Sequence, residues 1–240
     1  MQSLSLDKNV SENLLNFLRK FNTPTVCNAI EVAEGKRGFN NFTRETMCCS
    51  SVDETPIVGF ALTAKISAKN PADEPVEATK KRRMDYYKYI STATKASVAV
   101  IEDTDFPGCV GAYWGELNAN IHKNFEIVGA ITNGLIRDLG DLPTGFPVVA
   151  KSIGPSHGFV HVKEIDIPVN ICGMTVKPGN LIHADCHGGI VIPHHVIGKI
   201  EDSVHQLLKS EKLILDETKS KKLNFEEFSA LWEKFENSRT

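Results

Sequence analysis

The chain has 240 residues, 41% hydrophobic and 24% charged, enough to bury one sizeable core with appendages. A formal net charge of −3 argues against broad, sequence-independent nucleic-acid binding, and no apolar run approaches the roughly 20 residues that span a bilayer. The opening MQSLSLDKNVSENLL lacks a basic segment followed by a long apolar one, and the six cysteines show no CxxC pair, so reduced thiols and a cytoplasmic location are expected.

In chain order, residues 11 to 20 place apolar side chains at helical spacing behind Ser11, a fitting N-cap. Thr23 to Ala33 reads as a second helix with Pro24 in its first turn. Gly35 to Thr55 is mixed and polar and reads as a loop. Ile57 to Ser67 is a strand, and Asn70 to Glu77 is turn-rich and acidic. A helix carrying a basic and aromatic patch, KKRRMDYYKYI, is predicted over Lys80 to Ile90. Ser97 to Glu102 has the continuous apolar character of a buried parallel strand. Residues 146 to 192 contain several short Val- and Ile-rich strands interrupted by Gly and Pro. After Pro193 the chain turns helical, with Val196, Ile200, Val204, Leu207 and Leu208 on one stripe. A last amphipathic stretch carries Phe225, Phe228, Leu231, Trp232 and Phe235. The expected layout is one α/β domain over 1–195, including the N-terminal helices, and a helical extension over 196–240 for packing or oligomerisation.

The segment from Gly111 to Asp138 carries the chemistry. Gly111 and Gly115 stand four apart just before a helix-like run, where backbone N–H groups and the helix dipole favour a carboxylate or phosphate. A short apolar strand, Ile127 to Ile131, leads to Asn133-Gly134 and then Arg137-Asp138. Loops after the carboxyl ends of strands are common ligand sites in α/β proteins. Arg137 can fork onto a carboxylate, and Asp138 can hold a hard cation directly or through water. The alternatives are that Asp138 caps a short turn at Leu139 to Leu142, that Arg137 is a surface arginine, and that Glu116 only complements the helix dipole.

The pattern G-x-x-x-G-[DE]-L, a helix, then V-x-G-x-[IV]-x-[DN]-G-x-x-R-D resembles the RraA-like family, which includes class II 4-hydroxy-4-methyl-2-oxoglutarate/4-carboxy-4-hydroxy-2-oxoadipate aldolases and a DlpA-like branch. The likeness runs from Thr23-Pro24-Thr25-Val26 through Gly59-Phe60-Ala61, Gly145-Phe146-Pro147-Val148 and Gly173-Met174-Thr175-Val176 to Ala184-Asp185 and Ile190-Val191-Ile192-Pro193, covering roughly residues 20 to 195. It implies a swivelling β/β/α layered fold, phosphohistidine-domain-like, with C-terminal helices. It also implies a divalent-metal-dependent carbon–carbon lyase acting on a small 2-oxo acid. In that reading Mg²⁺ (or Mn²⁺) is held by Asp138, with Glu116 positioning its waters. Gly115, Leu117 and Asn118 contribute backbone N–H groups to the substrate, and Arg137 binds substrate and offsets the charge of a pyruvate enolate. A homotrimer or homohexamer is implied, with a tail carboxylate such as Glu211 reaching a neighbour's site. The other reading is a non-catalytic regulator that binds ribonuclease E or another protein. Members of that kind lose the aspartate after the arginine, and Arg137-Asp138 is intact here.

His183, Asp185 and His187, with Cys186, form a rival cluster. Alternation would aim all three to one side of a strand, for a structural role, substrate contact or zinc. His157 and His161 read as loop histidines, with the pocket mouth as the alternative, and Lys80 to Arg83 as a solvated face. Tyr113 and Trp114 are expected to pack, Trp114 walling the pocket. Asn133 stands where the family has aspartate in the D-G turn, Asn28 where it has aspartate in the first helix, and Asn180 where P-G-D is common.

Overall fold

A computed structural model describes residues 10–51 and 55–239. The N-terminal stretch read for a targeting signal lies mostly outside them, as do residues 52–54 of the expected loop. The chain divides into two compact units, one holding the segment up to Thr23 with Asn41–Ile192, the other Pro24–Asn40 with the segment from Pro193. This grouping differs from a domain over 1–195, because the second helix goes with the C-terminal helices.

In the first unit Ser11 caps α1 (Glu12–Leu18), accepting the Leu14 amide at 3.2 Å. At the end of the following turn Thr23 opens α2 (Thr23–Glu34). A large sheet is then assembled from β1 (Cys48–Cys49), β2 (Ile57–Ser67) and, after α3 (Val76–Ile90), β3 (Ser97–Asp103). α3 starts four residues before the basic run, directly after Pro75, whose fixed φ suits a helix entry. Next come β4 (Ala112–Trp114), α4 (Glu116–Asn124), β5 (Ile127–Thr132), β6 (Leu135–Ile136), β7 (Val148–Ala150) and β8 (Ser152–Ile153). The β-rich remainder holds β9 (His161–Ile165), β10 (Val169–Ile171), β11 (Met174–Val176), β12 (Leu181–Asp185) and β13 (Gly188–Ile192).

The main sheet runs β1-β7-β5-β3-β2-β12-β13, with β9 also on β2, and β3 lies parallel to both β2 and β5. The segment leading to β1 closes toward the far edge, where the Thr43 amide donates to the Gly189 carbonyl at 2.9 Å. This is the mixed, nearly closed β/β/α layering expected. The period of two along strands sorts side chains to two cores. Leu62, Ala64, Ile66, Ala99 and Ile101 join Tyr86, Ile90 and Trp114 on one face. Ala61, Val98 and Val100 join Ile131, Val149 and Ile182 on the other. Each fully buried Leu, Ile or Val contributes about 1.5–3 kcal/mol, so these strands are fixed in register. A smaller parallel sheet, β4-β6-β8, positions the site.

In the second unit Val26 and Ile30 of α2, Val196 of the 3-10 segment His194–Lys199, and Ile200, Val204 and Leu207 of α5 (Ile200–Ser220) are buried. Leu208 is 38% exposed, because one residue beyond Leu207 turns about 100° off the stripe. α6 (Phe225–Arg239) buries Phe235 but leaves Phe225 76% exposed, with Phe228 and Trp232 also open. Among the described residues no helix is long and apolar enough to cross a membrane.

Candidate active site

Parallel pairing of β4 with β6 sets the residues that follow each strand side by side. Trp114 stands opposite Ile136, and the Arg137 amide donates to the Trp114 carbonyl at 2.8 Å. Gly115 then opens α4 with φ −153°, an extended conformation open to any residue. Space is what demands glycine. A Cβ there would lie 2.6 Å from Asp138 Oδ2 and 2.9 Å from Arg137 Nε.

Asp138 adopts φ +56°, the left-handed region that aspartate tolerates better than most residues. Its Oδ2 accepts the Glu116 amide at 3.1 Å, so Asp138 caps α4 from 22 positions away. The alternative of a local cap for Leu139 to Leu142 is thus replaced by a non-local one. Arg137 Nε lies 3.6 Å from the same oxygen, is buried, and has no hydrogen-bond partner among the described residues. A buried N–H without a partner is uncommon and calls for an explanation. The first N–H groups of α4 add positive potential at this corner.

Arg137, Gly115, Leu117 and Asn118 line one cavity of about 640 Å³. Glu116 and Asp138 are exposed beside it and are not among its described lining residues. The Asn118 side chain is engaged: its amide donates to the Tyr113 carbonyl at 2.7 Å and accepts the Tyr87 hydroxyl at 3.3 Å. What it presents to a ligand is backbone. The cavity is also walled by α3, the 157–160 loop and the start of β9, including Lys80, Arg83, Tyr87, His157, Phe159 and His161.

The matching family model is described as Aldolase/RraA and covers residues 23–192. The chain belongs to the RraA-like family. It is 27% identical over 204 residues to an uncharacterized protein of Methanocaldococcus jannaschii, covering 83% of this chain and 86% of that one. It is 24% identical over 188 residues to a Halalkalibacterium halodurans protein provisionally named a 4-hydroxy-4-methyl-2-oxoglutarate aldolase, covering 77% and 80% of the two chains. Its fold matches Streptomyces coelicolor RraAS2, described as an unusual member of the RNase ES inhibitor RraA family, with TM-score 0.64, 18% identity, and 88% and 98% of the chains covered.

Several features of this RraA-like chain differ from what its sequence suggested. Trp114 is fully buried, and Tyr113 faces the cavity in its place. Lys80 and Arg83 belong to the cavity wall as well as to an exposed helix, and neighbouring Arg82 pairs with Glu74, its Nη2 at 2.7 Å from Oε2. The aromatic run on α3 locks α3 to α4. Tyr86 donates to His122 Nε2 at 2.7 Å, while His122 Nδ1 donates to the Asn118 carbonyl at 2.7 Å. Burial pushes His122 down to about 4, so it is neutral at pH 7. No motif flags His122, which reveals itself only through contact with Tyr86.

Asn133 explains one departure from the family pattern. Its Oδ1 accepts the Asp103 amide at 2.6 Å and its Nδ2 donates to the Asp103 carbonyl at 3.1 Å. An aspartate could not supply the donor. Asn180 closes a turn, its Oδ1 accepting the Lys177 amide at 2.8 Å.

The His183 to His187 cluster does not share one side of a strand, because β12 ends at Asp185 and Cys186-His187 form the hairpin tip. His183 is fully buried: its Nε2 donates to the Leu18 carbonyl at 3.2 Å and its Nδ1 accepts the Thr23 hydroxyl at 3.0 Å. Burial pushes it down to about 4 as well. Asp185 accepts the amides of Thr23 at 2.7 Å and His187 at 2.8 Å. None of the six cysteines is in a disulfide.

Proposed function

We propose that this protein is a divalent-metal-dependent carbon–carbon lyase acting on a small 2-oxo acid. The observation that carries the reading is the buried, unpartnered Nε of Arg137 at one end of a cavity, beside an exposed carboxylate and a helix N-terminus. The donors here are carboxylate oxygens, Asp138 with Glu116 next to it, which suits a hard, largely hydrated cation. Mg²⁺ (or Mn²⁺), held by Asp138 with Glu116 positioning its waters, would supply Lewis-acid withdrawal of electrons from the 2-oxo group.

The chain's own residues do the rest. Backbone N–H groups of Gly115, Leu117 and Asn118 and the Arg137 guanidinium receive the substrate's carboxylate and 2-oxo oxygens. As the bond beyond the adjacent carbon breaks, its electron pair moves into an enolate, and Arg137 offsets the charge that develops on oxygen. The same electron sink serves retro-aldol cleavage and oxaloacetate decarboxylation. We also propose a cytoplasmic homotrimer or homohexamer, since α6 leaves Phe225 and Trp232 open in a single chain.

A metal titration with oxaloacetate, following pyruvate release, tests the reading. Turnover should rise with Mg²⁺ or Mn²⁺ and vanish on chelation. Chelator-resistant turnover would sink the mechanism. No turnover together with tight ribonuclease E binding would favour a regulator instead.

A further inference from the structure

We infer that the hairpin tip Asp185-Cys186-His187 binds one borderline transition-metal dication of the zinc class, at a site apart from the Asp138 corner. Three different donors converge there: a carboxylate oxygen, a thiol sulfur and an imidazole nitrogen, all within 4.8 Å of one another. His187 Nδ1 is 3.0 Å from Asp185 Oδ1 and 3.5 Å from Cys186 Sγ. With zinc bonds near 2.0–2.3 Å, tetrahedral geometry separates such neighbouring donors by roughly 3.4–3.6 Å. The O-to-N gap needs to open by a few tenths of an ångström, and the S-to-N gap fits.

The arrangement is built before any ion arrives. The amides of Thr23 and His187 hold the Asp185 carboxylate in place. The β12–β13 ladder pins both ends of the two-residue tip, with Asp185 paired to Gly188. The His187 side chain is 52% exposed, which leaves an entry path and room for water in a fourth position. Cys49, whose thiol donates to the Ser51 carbonyl at 2.9 Å, lines a small cavity with Asp185 and Cys186. Thiolate and imidazole select zinc-class ions over Mg²⁺, whose ligands are oxygens. The tip therefore differs in kind from the Asp138 corner.

Co²⁺ titration of the reduced, chelator-stripped full-length chain tests this, because thiolate-bound cobalt shows a charge-transfer absorption that oxygen ligands do not give. One equivalent should produce that band, with visible absorption of tetrahedral intensity. Zn²⁺ should displace it, and excess Mg²⁺ should not. Cys186→Ser should abolish the band. His187→Ala should weaken cobalt binding by at least the roughly 10–100-fold that losing even an outer partner of a metal ligand costs. Asp138→Ala should leave the spectrum unchanged. Both Cys186 and His187 are exposed, so these variants should keep the wild-type far-UV circular dichroism. No band at stoichiometric cobalt, a band that survives Cys186→Ser, or one lost in Asp138→Ala would overturn the proposal.

Discussion

Asp138 follows β6 and Asp185 ends β12, and each lies next to candidate ligands in the sequence, yet the fold uses them differently. Asp138 is exposed, and its carboxylate accepts the Glu116 amide. Its other close neighbour is the Arg137 guanidinium, with Nε 3.6 Å away. Asp185 is half-buried and accepts from Thr23, from the His187 amide and from the His187 ring, with sulfur alongside. The lesson is that a carboxylate's partners decide its work. One left largely to solvent beside an arginine suits a hydrated cation and an anionic substrate. One saturated by amides is first a structural staple, and its surplus chemistry comes from softer neighbours.

The largest expected effect falls on the Asp138 side of this contrast. Arg137→Lys keeps the charge but loses the planar fork, and kcat/KM should drop by roughly two to four orders of magnitude, the scale of a lost transition-state contact. Thermal stability should barely move. Unchanged turnover would show that the orphaned Nε has no part in the chemistry, and the comparison would lose its functional half.

Gly115→Ala sharpens the same side. The added methyl would meet two side chains, Asp138 at Oδ2 and Arg137 at Nε and Cγ, and not backbone. Those side chains should shift while the fold stays, costing on the order of 10²-fold in kcat/KM, as misplacements near 1 Å do. Steady-state kinetics with a circular dichroism control reads this out, and wild-type kinetics would mean the close approach is idle.

Protonation of two buried histidines, one of them on the staple side, gives a further test. His183 and His122 are both buried and both pushed down to about 4 from an ordinary value near 6.5. Between those values the unfolded chain binds protons that the native state refuses, so stability must fall as pH drops through this window. Each histidine accounts for up to about 3 kcal/mol by pH 4. Burial raises Asp103, which acts in the opposite direction at the bottom of the window. Urea midpoints measured from pH 7.5 down to about 4.5 should decline, and His183→Asn should flatten the slope. A level profile would show that these rings protonate without unfolding.

Local signals in the sequence were clear where a single element decides them. The bounds of β2, Ile57–Ser67, follow from apolar residues at alternating and consecutive positions, and Ser11 is the cap that residue type and spacing suggest. The placement of Arg137 and Asp138 just past a short strand was also legible, since they follow an apolar strand and the Asn133-Gly134 turn. Long-range contacts stayed hidden. Nothing near Asp138 announces that its carboxylate caps a helix 22 residues earlier, and nothing near Lys80 or His157 says that α3 and a distant loop wall one cavity. Alternation also failed at His187, because a period of two holds only while the strand lasts.

The central claim is that the Asp138 corner is a working metal and anion site, and thermal unfolding with Mg²⁺ and oxalate, an enolate mimic, tests it most directly. Together the two should raise the melting temperature of the wild-type protein well above what either does alone. Asp138→Ala should lose that joint shift, and Asp138→Asn should need more Mg²⁺ to reach it. A joint shift that persists undiminished in Asp138→Ala, or none in the wild type at saturating Mg²⁺ and oxalate, would contradict the account.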